Sequence, residues 1–265
     1  MEIKTSMYGG KVEMVFESYH HIYTVNDPEN NVFNERVGSV TKANGIINKP
    51  KLVNWSANIT ADTMLEQLKP GVAYDEIEIN TMVEAARNAH FHKKKEAGDI
   101  GTMVHKWVEA YIKGENPGRP VNEQLQTSID LFLDWEKKNS VKFLLSEQPV
   151  YSRKYKYTGT LDFVCMYKGK KDTEARMYVG DLKTSSGIWD EYLLQTAAYR
   201  FARNEEFPEE KYAGMLIVRI GKDGKFEFGI IREDAWFREM FVAFIAALKL
   251  SEKMEKIKSF KLERD

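Results

Sequence analysis

The sequence predicts an α/β (α+β) fold in which helices flank a mixed central β-sheet, with a helical insertion in the N-terminal half. Apolar residues recur at three- and four-residue spacing before residue 140 and again near the C-terminus, which is typical of amphipathic helices. Between these regions the spacing changes to the alternation typical of strands. We therefore expect a single domain over 1–265, with a mainly helical front half at 41–140, a sheet core at 141–232 and a C-terminal helix at 233–265.

The chain is expected to begin with a β-hairpin and to continue as helices. Ser39 or Thr41 is a candidate N-cap, because a hydroxyl there can accept from a free N–H of the first turn. The clearest helical stripe covers 100–113. The expected elements are a hairpin at 11–25 with its turn near Ser18 and Tyr19, a strand end and short helix within 39–48, helices over 54–114 with a break at Pro70-Gly71, and a helix at 122–138.

The back half alternates between strands and helices. Gly169-Lys170 and Asp223-Gly224 are suitable turn sequences between strands, and Asp234 is a candidate cap or first-turn acid of the last helix. The expected elements are strands at 141–151, 156–168 and 175–183, a helix at 188–204, strands at 212–220 and 225–232, and a helix from 234 to about 258.

Composition excludes several classes of protein. The chain is 43% hydrophobic, which is enough to bury a core, yet no apolar run reaches the roughly 18–20 residues that span a bilayer. The first eleven residues do not resemble a signal peptide, so a cytoplasmic protein without a membrane partner is expected. Cys165 is the only cysteine, which excludes an internal disulfide and a cysteine-ligated cluster. A net charge of −1 means that any nucleic-acid contact needs local basic patches.

Asp162, Asp181 and Lys183 are the residues that carry chemistry. Asp181 and Lys183 are two apart on a predicted strand, so their side chains share a face, and a hairpin would bring Asp162 beside Asp181. Two carboxylates favour a hard cation such as Mg²⁺ or Mn²⁺, which can bind a phosphate and lower the pKa of an attacking water. Lys183 can orient or deprotonate that water, or neutralise developing charge. The alternative for an isolated Asp-x-Lys is a solvated surface pair.

Several motifs in this order resemble the RecB-type branch of the PD-(D/E)XK nuclease superfamily, which includes phage exonucleases and the mitochondrial genome maintenance exonuclease. Segments upstream resemble the front end of the phage and mitochondrial members: His21-x-Tyr23, Ser39-Val-Thr41 and Lys49-Pro-Lys-Leu-x-x-Trp55. The motifs that carry the resemblance are Gly101-Thr-Met-Val-His105, Glu147-x-Pro149, Gly159-Thr-Leu-Asp162, Asp181-Leu-Lys183-Thr-Ser and Gln195-x-x-x-Tyr199.

The resemblance implies a restriction-endonuclease-like core and a role for each matched residue. Asp162 and Asp181 would hold one or two Mg²⁺ or Mn²⁺ ions, with the Leu182 carbonyl and His105 completing the shell. Lys183 would be the catalytic lysine. Members with an iron–sulfur cluster carry four cysteines, so no such cluster is expected here. The remaining implied roles are for Glu147, which would bind a second metal or order a water unless it is a surface carboxylate, and for Gln195 and Tyr199, which would support Lys183 or contact the DNA backbone.

The implied activity is a metal-dependent DNA exonuclease acting on single strands or free ends in phage or cellular recombination, repair or replication. The expected setting is a monomer in the cytoplasm of a bacterial or phage-infected cell, with a recombination or single-strand-binding protein as a candidate partner. A structure-specific endonuclease, a non-catalytic nucleic-acid-binding protein and an interaction protein with coincidental carboxylates remain alternatives. Candidate DNA contacts are Arg153, Lys154 and Lys156 ahead of Gly159, Thr184 and Ser185 unless they cap a turn, and Trp55 unless it packs in the core.

Overall fold

Nine strands form one mixed β-sheet in the part of the chain that the structure, a computed structural model, describes: residues 2–169 and 172–260. The sheet order is β1-β2-β3-β4-β6-β7-β8-β9, and β5 pairs with β6. The β4–β6 and β7–β8 pairs are parallel and the other pairs are antiparallel. The strands are β1 Glu2–Met7, β2 Val12–Glu17, β3 Ile22–Asp27, β4 Val32–Ser39, β5 Lys142–Ser152, β6 Tyr157–Tyr167, β7 Arg176–Lys183, β8 Tyr212–Ile220 and β9 Phe226–Ile231.

The described residues also form six α-helices. None of the described helices has an apolar stretch long enough to cross a membrane. The chain divides into unit 1, Met1–Ile47 with Val104–Asp265, and unit 2, Asn48–Met103. Unit 2 lies within the segment predicted to be mainly helical. The helices are α1 Val40–Asn44, α2 Pro50–Gln67, α3 Glu76–Ile112, α4 Glu123–Asn139, α5 Asp190–Glu206 and α6 Asp234–Lys258.

The main core of unit 1 joins α1, α5 and α6 to the sheet. Helix α5 contributes the small residues Ala197, Ala198 and Ala202, which let its backbone lie close to the strands. Phe244 of α6 packs edge-on against Tyr157 of β6, with ring centroids 4.9 Å apart. This packing fixes α5 against the strands that carry the predicted aspartates.

A second, aromatic cluster joins α4 to the sheet. Phe132 stacks on Phe143 of β5 at 5.4 Å, and Trp135 lies 6.4 Å from Phe163 of β6. Tyr111, in the part of α3 that belongs to unit 1, donates to Glu136 of α4 at 2.7 Å. This hydrogen bond links α3 to α4, which carries the aromatic cluster.

The predicted fold class is confirmed at the level of a mixed sheet with helices. The β2–β3 hairpin, the Ser39 cap, which accepts from the Lys42 N–H at 3.2 Å, and the last helix are also confirmed. Strands β5 to β9 begin and end within one residue of prediction. Asp234 lies in the first turn of α6 and does not cap it, since the N-cap position is Glu233.

Several elements were missed or given other bounds, including β4, of which only the end near Ser39 was predicted, and α2, which begins at Pro50 and not near residue 54. Strand β1 was not predicted, because it is short and mostly exposed and lacks a strong apolar alternation. The helix predicted at 100–113 is the last part of α3, which begins at Glu76. Helix α5 begins at Asp190, two residues later than predicted. The turn predicted at Gly169-Lys170 includes Lys170, which lies outside the described residues.

Candidate metal centre

Strands β6 and β7 separate where the two predicted aspartates lie. Their ladder ends at the pair Phe163 and Gly180, next to Asp162 on β6 and Asp181 on β7. Beyond this point the backbone N–H of Leu182 donates to Asp162 Oδ2 at 2.7 Å. The Asp162 side chain thus takes the place of a backbone acceptor between β6 and β7. Its carboxylate lies beside β7, as predicted.

Two glycines of the motifs leave room for aromatic rings. A β-carbon on Gly180 would lie 1.9 Å from the ring of Phe163, and one on Gly159 would lie 2.7 Å from the ring of Tyr199. Both distances are far shorter than a van der Waals contact. The glycines therefore allow the close approach of the rings that flank Asp162 and Asp181.

His105, Glu147 and Asp162 come together although they lie on three different elements. Nδ1 of His105 is 3.8 Å from Oε1 of Glu147 and 3.8 Å from Oδ1 of Asp162. One ligand atom from each residue lies within 4.8 Å of the others. The exposed fractions of the three side chains are 30%, 29% and 13%, so a ligand from solvent can reach them.

The charges in this group act on one another. Burial raises the pKa of Glu147, and the charge of Asp162 raises it further, while the neighbouring His105 opposes both. Burial lowers the pKa of His105, but the neighbouring carboxylates of Asp162 and Glu147 outweigh it, so the net shift is upward. The two carboxylates therefore favour a positive charge between them.

Glu147 reaches the group from an unusual backbone conformation. Its φ of 47° lies in the left-handed region, which residues with a β-carbon occupy at a cost of about 1–2 kcal/mol. Its neighbours Ser146 and Gln148 remain paired with Phe163 and Leu161 of β6. The strain is thus confined to the residue whose carboxylate faces His105, which is a common property of functional sites.

Asp181 and Lys183 form a buried ion pair beside the group. The Lys183 ammonium lies 2.7 Å from both oxygens of the Asp181 carboxylate. Burial raises the pKa of Asp181 to about 7 against the opposing charge of Lys183. Burial lowers the pKa of Lys183, but the charges of Asp181 and Asp162 outweigh it and raise the pKa overall. Lys183 is consequently an ammonium at neutral pH in this arrangement.

The donor set suits a divalent cation. Mn²⁺ accepts both carboxylate and imidazole ligands, whereas Mg²⁺ prefers carboxylates. The Asp181 carboxylate is already paired with the Lys183 ammonium, which lies 2.7 Å from both of its oxygens. Of the predicted ligands, His105 and Asp162 lie in one group with Glu147, and Asp181 lies next to it.

No protein-family model matches the chain, and no curated protein matches its sequence. The resemblance seen in the motifs remains an expectation, and function is inferred from the geometry of the site.

Helix α5 presents three polar side chains, two of which were predicted. Gln195 donates to the Tyr199 hydroxyl at 2.9 Å, and Tyr199 is buried, so burial raises its pKa, followed by the charges of Asp162 and Asp181. The third is Tyr192, whose ring lies 4.9 Å from the Lys183 ammonium. Tyr192 was missed, although its spacing of three and seven residues from Gln195 and Tyr199 places all three on one helix face.

The basic residues ahead of Gly159 lie in the turn between β5 and β6. Arg153 pairs with Asp27 at 2.8 Å and lies 4.4 Å from the Tyr8 ring. These contacts favour a structural role for Arg153, and its assignment to DNA binding stays a prediction. Lys154 and Lys156 are exposed, but Lys156 is six residues before Asp162, or roughly 20 Å along the strand, so neither residue adjoins the carboxylates directly.

The other predicted DNA contacts are placed as follows. The Ser185 hydroxyl donates to the Gly187 carbonyl at 2.8 Å and stabilises the turn after β7. Neither Thr184 nor Ser185 caps α5, whose N-cap position is Trp189. Trp55 lies half-buried on α2 in unit 2. The observed contact of Leu182 is through its N–H, and the role of its carbonyl stays a prediction.

Tyr23 is a further residue of the site that residue chemistry alone did not identify. Burial raises its pKa, the Thr160 side chain lowers it, and the charge of Glu147 raises it. Tyr23 of β3 is therefore near the part of β6 that precedes Asp162. The only sequence signal was the His21-x-Tyr23 segment, which carried part of the resemblance.

Proposed function

We propose that this protein is a Mg²⁺- or Mn²⁺-dependent nuclease that hydrolyses phosphodiester bonds in DNA from free ends. The observation that supports this most strongly is the meeting of His105, Glu147 and Asp162 beside the buried Asp181–Lys183 pair. We also propose that β5, β6, β7, α5 and β8 constitute the restriction-endonuclease-like core implied by the resemblance. Action on single strands, in recombination, repair or replication, rests on the resemblance alone.

His105, Glu147 and Asp162 would hold the cation, and the neighbouring Asp181 carboxylate, now paired with Lys183, would be a further donor. A divalent ion bound there supplies charge for a phosphate oxygen and lowers the pKa of a bound water. The Leu182 N–H fixes the Asp162 carboxylate, so this ligand needs little reorganisation when the ion binds.

Lys183 would act on the phosphate as an ammonium. Its raised pKa keeps the proton, so it can donate to a phosphate oxygen and stabilise negative charge that develops during hydrolysis. The ring of Tyr192, at 4.9 Å, limits where the ammonium can move. Buried, preorganised charges of this kind are typical of phosphoryl-transfer sites.

The first test is cleavage of end-labelled DNA by the wild-type chain and by Lys183→Met. Methionine keeps the volume of the lysine chain and removes its charge. We expect wild type with Mg²⁺ or Mn²⁺ to digest linear single strands and to leave closed single-stranded circles intact. Lys183→Met should be at least ~100-fold slower while it still binds Mn²⁺. Lys142→Ala, which removes an exposed lysine at the start of β5, is the matched control and should cleave at the wild-type rate.

Three results would overturn parts of this proposal. Equal cleavage by Lys183→Met would remove Lys183 from the mechanism. Undiminished cleavage in EDTA would show that the reaction needs no metal ion. Cleavage of closed circles as fast as linear strands would show that the protein is an endonuclease.

A further inference from the structure

A groove lies between strands β3 and β4 and helices α1 and α6 of unit 1. Its cavity measures about 760 Å³, and a smaller cavity of about 420 Å³ adjoins it. The two share the lining residues His21, Tyr23, Arg36, Ser39 and Lys42, which define the region called here the β3–α1 groove. The larger volume is within the range of about 300–1,000 Å³ typical of ligand sites.

Charge is distributed unevenly along the β3–α1 groove. Three acidic residues line only the larger cavity, Glu35 of β4 and Glu252 and Glu255 of α6, and Glu255 lies 3.6 Å from the Lys42 ammonium. Both partners of that ion pair are about half exposed, so it is weak and readily replaced by a phosphate. Among the described residues, those that line the smaller cavity include no carboxylate: His20, His21, Tyr23, Arg36, Ser39, Thr41 and Lys42.

Aromatic rings lie beside these cations. The rings of Phe16 and Tyr23 are stacked, with centroids 4.5 Å apart and an interplanar angle of 22°. The ring of His21 lies 5.7 Å from that of Phe16 and is exposed. Aromatic faces next to a positively charged groove are the combination that binds unpaired bases and the phosphates between them.

The groove leads to the candidate metal centre. Tyr23 lines both cavities and pairs with Val37 of β4. Strand β4 in turn pairs with β6 at Ser39 and Thr158, four residues before Asp162. Lys156 lines the larger cavity. Lys156, immediately before β6, is four residues from Thr160, or about 13 Å, which is the length of about four stacked nucleotides at 3.4 Å each.

We propose that the β3–α1 groove binds the single-stranded DNA adjoining the scissile phosphate, an inference that rests on the proposed nuclease function. Arg36 and Lys42 contact phosphates, and His21 stacks on a base. Base faces are covered by their neighbours in a duplex, so the aromatic contacts select unpaired DNA. The groove thus accounts for a preference for single strands that the metal centre itself cannot provide.

The test measures binding of a fluorescein-labelled single-stranded oligodeoxynucleotide by anisotropy in EDTA, where no cleavage is expected. We expect Arg36→Ala/Lys42→Ala to bind at least ~10-fold more weakly at low salt, and the slope of log K against log salt to fall by about 1.4, since each phosphate contact on a single strand contributes about 0.7. His21→Asn should weaken binding about 5- to 10-fold. Asparagine is tolerated at the left-handed φ of 51° at this position.

Lys142→Ala/Arg238→Ala is the matched control, because it removes one exposed lysine and one exposed arginine outside the groove. It should retain the wild-type salt slope. Thermal unfolding of each variant verifies the fold. Hydrolysis of bis(p-nitrophenyl) phosphate by wild type with Mn²⁺ tests the metal centre separately, because this small diester needs no groove.

The outcomes separate the two proposals. If Arg36→Ala/Lys42→Ala keeps the wild-type affinity and salt slope while wild type hydrolyses the diester, DNA binding by the groove is overturned and the nuclease function stands. If that variant loses binding while wild type hydrolyses nothing, the nuclease function is overturned and DNA binding by the groove is supported. Equal affinity of wild type for a blunt duplex of the same sequence would overturn selection of single strands.

Discussion

Glu147 combines a left-handed backbone with a carboxylate in the candidate metal centre. At an ordinary strand position glycine costs roughly 0.5–1 kcal/mol, but at φ 47° it also removes a strain of about 1–2 kcal/mol. We therefore expect Glu147→Gly to be more stable than Glu147→Gln by up to about 1 kcal/mol. Both should bind Mn²⁺ more weakly than wild type, since both lose the carboxylate. Denaturant unfolding and calorimetric titration measure the two effects.

The comparison of glycine with glutamine isolates the backbone, because both variants remove the same charge. A glycine variant less stable than the glutamine variant would show that the left-handed conformation of Glu147 carries no strain. Wild-type Mn²⁺ affinity in both variants would remove Glu147 from the metal site.

Asp181 should make the metal-free protein sensitive to pH. Burial raises its pKa from 3.8 to about 7, so the protonated form is favoured in the folded state. A carboxyl with a raised pKa contributes stability that is full below about 3.8 and is lost as the pH rises through about 7. The double variant Asp181→Asn/Lys183→Met lacks this group and leaves no unpaired buried charge. In EDTA the Tm of wild type should therefore fall relative to that of the variant between pH 4 and pH 7.

A constant Tm difference over that range would contradict a raised pKa for Asp181. Lys183 does not confound the comparison, because its raised pKa lies above 10.5 and its contribution is full throughout the range.

The β6–β7 pair depends on the absence of a side chain at Gly180. A methyl group there would meet the Phe163 ring, so Gly180→Ala should destabilise the protein by about 1–3 kcal/mol. Phe163→Leu shortens the opposing side chain, and the double variant should recover at least about 1 kcal/mol relative to additivity. Urea unfolding of the four proteins measures this coupling.

Gly229→Ala on β9 is the matched control, since a β-carbon there would lie 3.7 Å from Ile188, an ordinary contact. It should cost less than about 1 kcal/mol. Additive effects of Gly180→Ala and Phe163→Leu would show that the ring does not determine how closely β6 and β7 approach.

The elements that the sequence predicted well are those whose own residues specify them. Helix α6 and strand β7 carry uninterrupted apolar patterns, and their bounds followed from pattern and turn residues. Strand β1 is mostly exposed and forms through pairing with β2, so its own residues do not identify it as a strand. The part of α3 before Ile100 lies within the stretch 54–114 that was predicted to be mostly helical, and the helix continues through Gly98 although glycine is a poor helix former.

The candidate metal centre was predictable only in part, because local spacing determines some of its contacts and the path of the whole chain determines the others. Strand alternation placed Asp181 and Lys183 on one face, and the structure brings them to 2.7 Å. The approach of His105 to Asp162 depends on the path of the whole chain, and only the motif resemblance indicated it. The backbone of Glu147 and the position of Tyr192 beside Lys183 left no signal in spacing that could be separated from an ordinary strand or helix face.

Stability is expected to differ between the two units of the molecule. Within Asn48–Met103, only Ala86 and Ile100 are buried, and no residue of α2 is buried. Unit 1, in contrast, contains the main core with Tyr157 and Leu161 of β6 fully buried. An isolated helix of this length is marginal in water, so α2 has little beyond its own backbone hydrogen bonds to resist local opening.

Amide hydrogen exchange of the metal-free protein should therefore separate α2 from β6. Amides of Pro50–Gln67 are expected to exchange through local opening, at least ~100-fold faster than those of Tyr157–Tyr167, and to respond weakly to low concentrations of urea. Those of β6 should exchange only by global unfolding, with the full urea dependence of the protein, because opening β6 exposes the main core. Peptide-resolved mass spectrometry over a urea series makes this measurement. Equal protection of both segments, falling together with urea, would mean that unit 2 unfolds only with unit 1 and that the burial of its side chains does not set its stability.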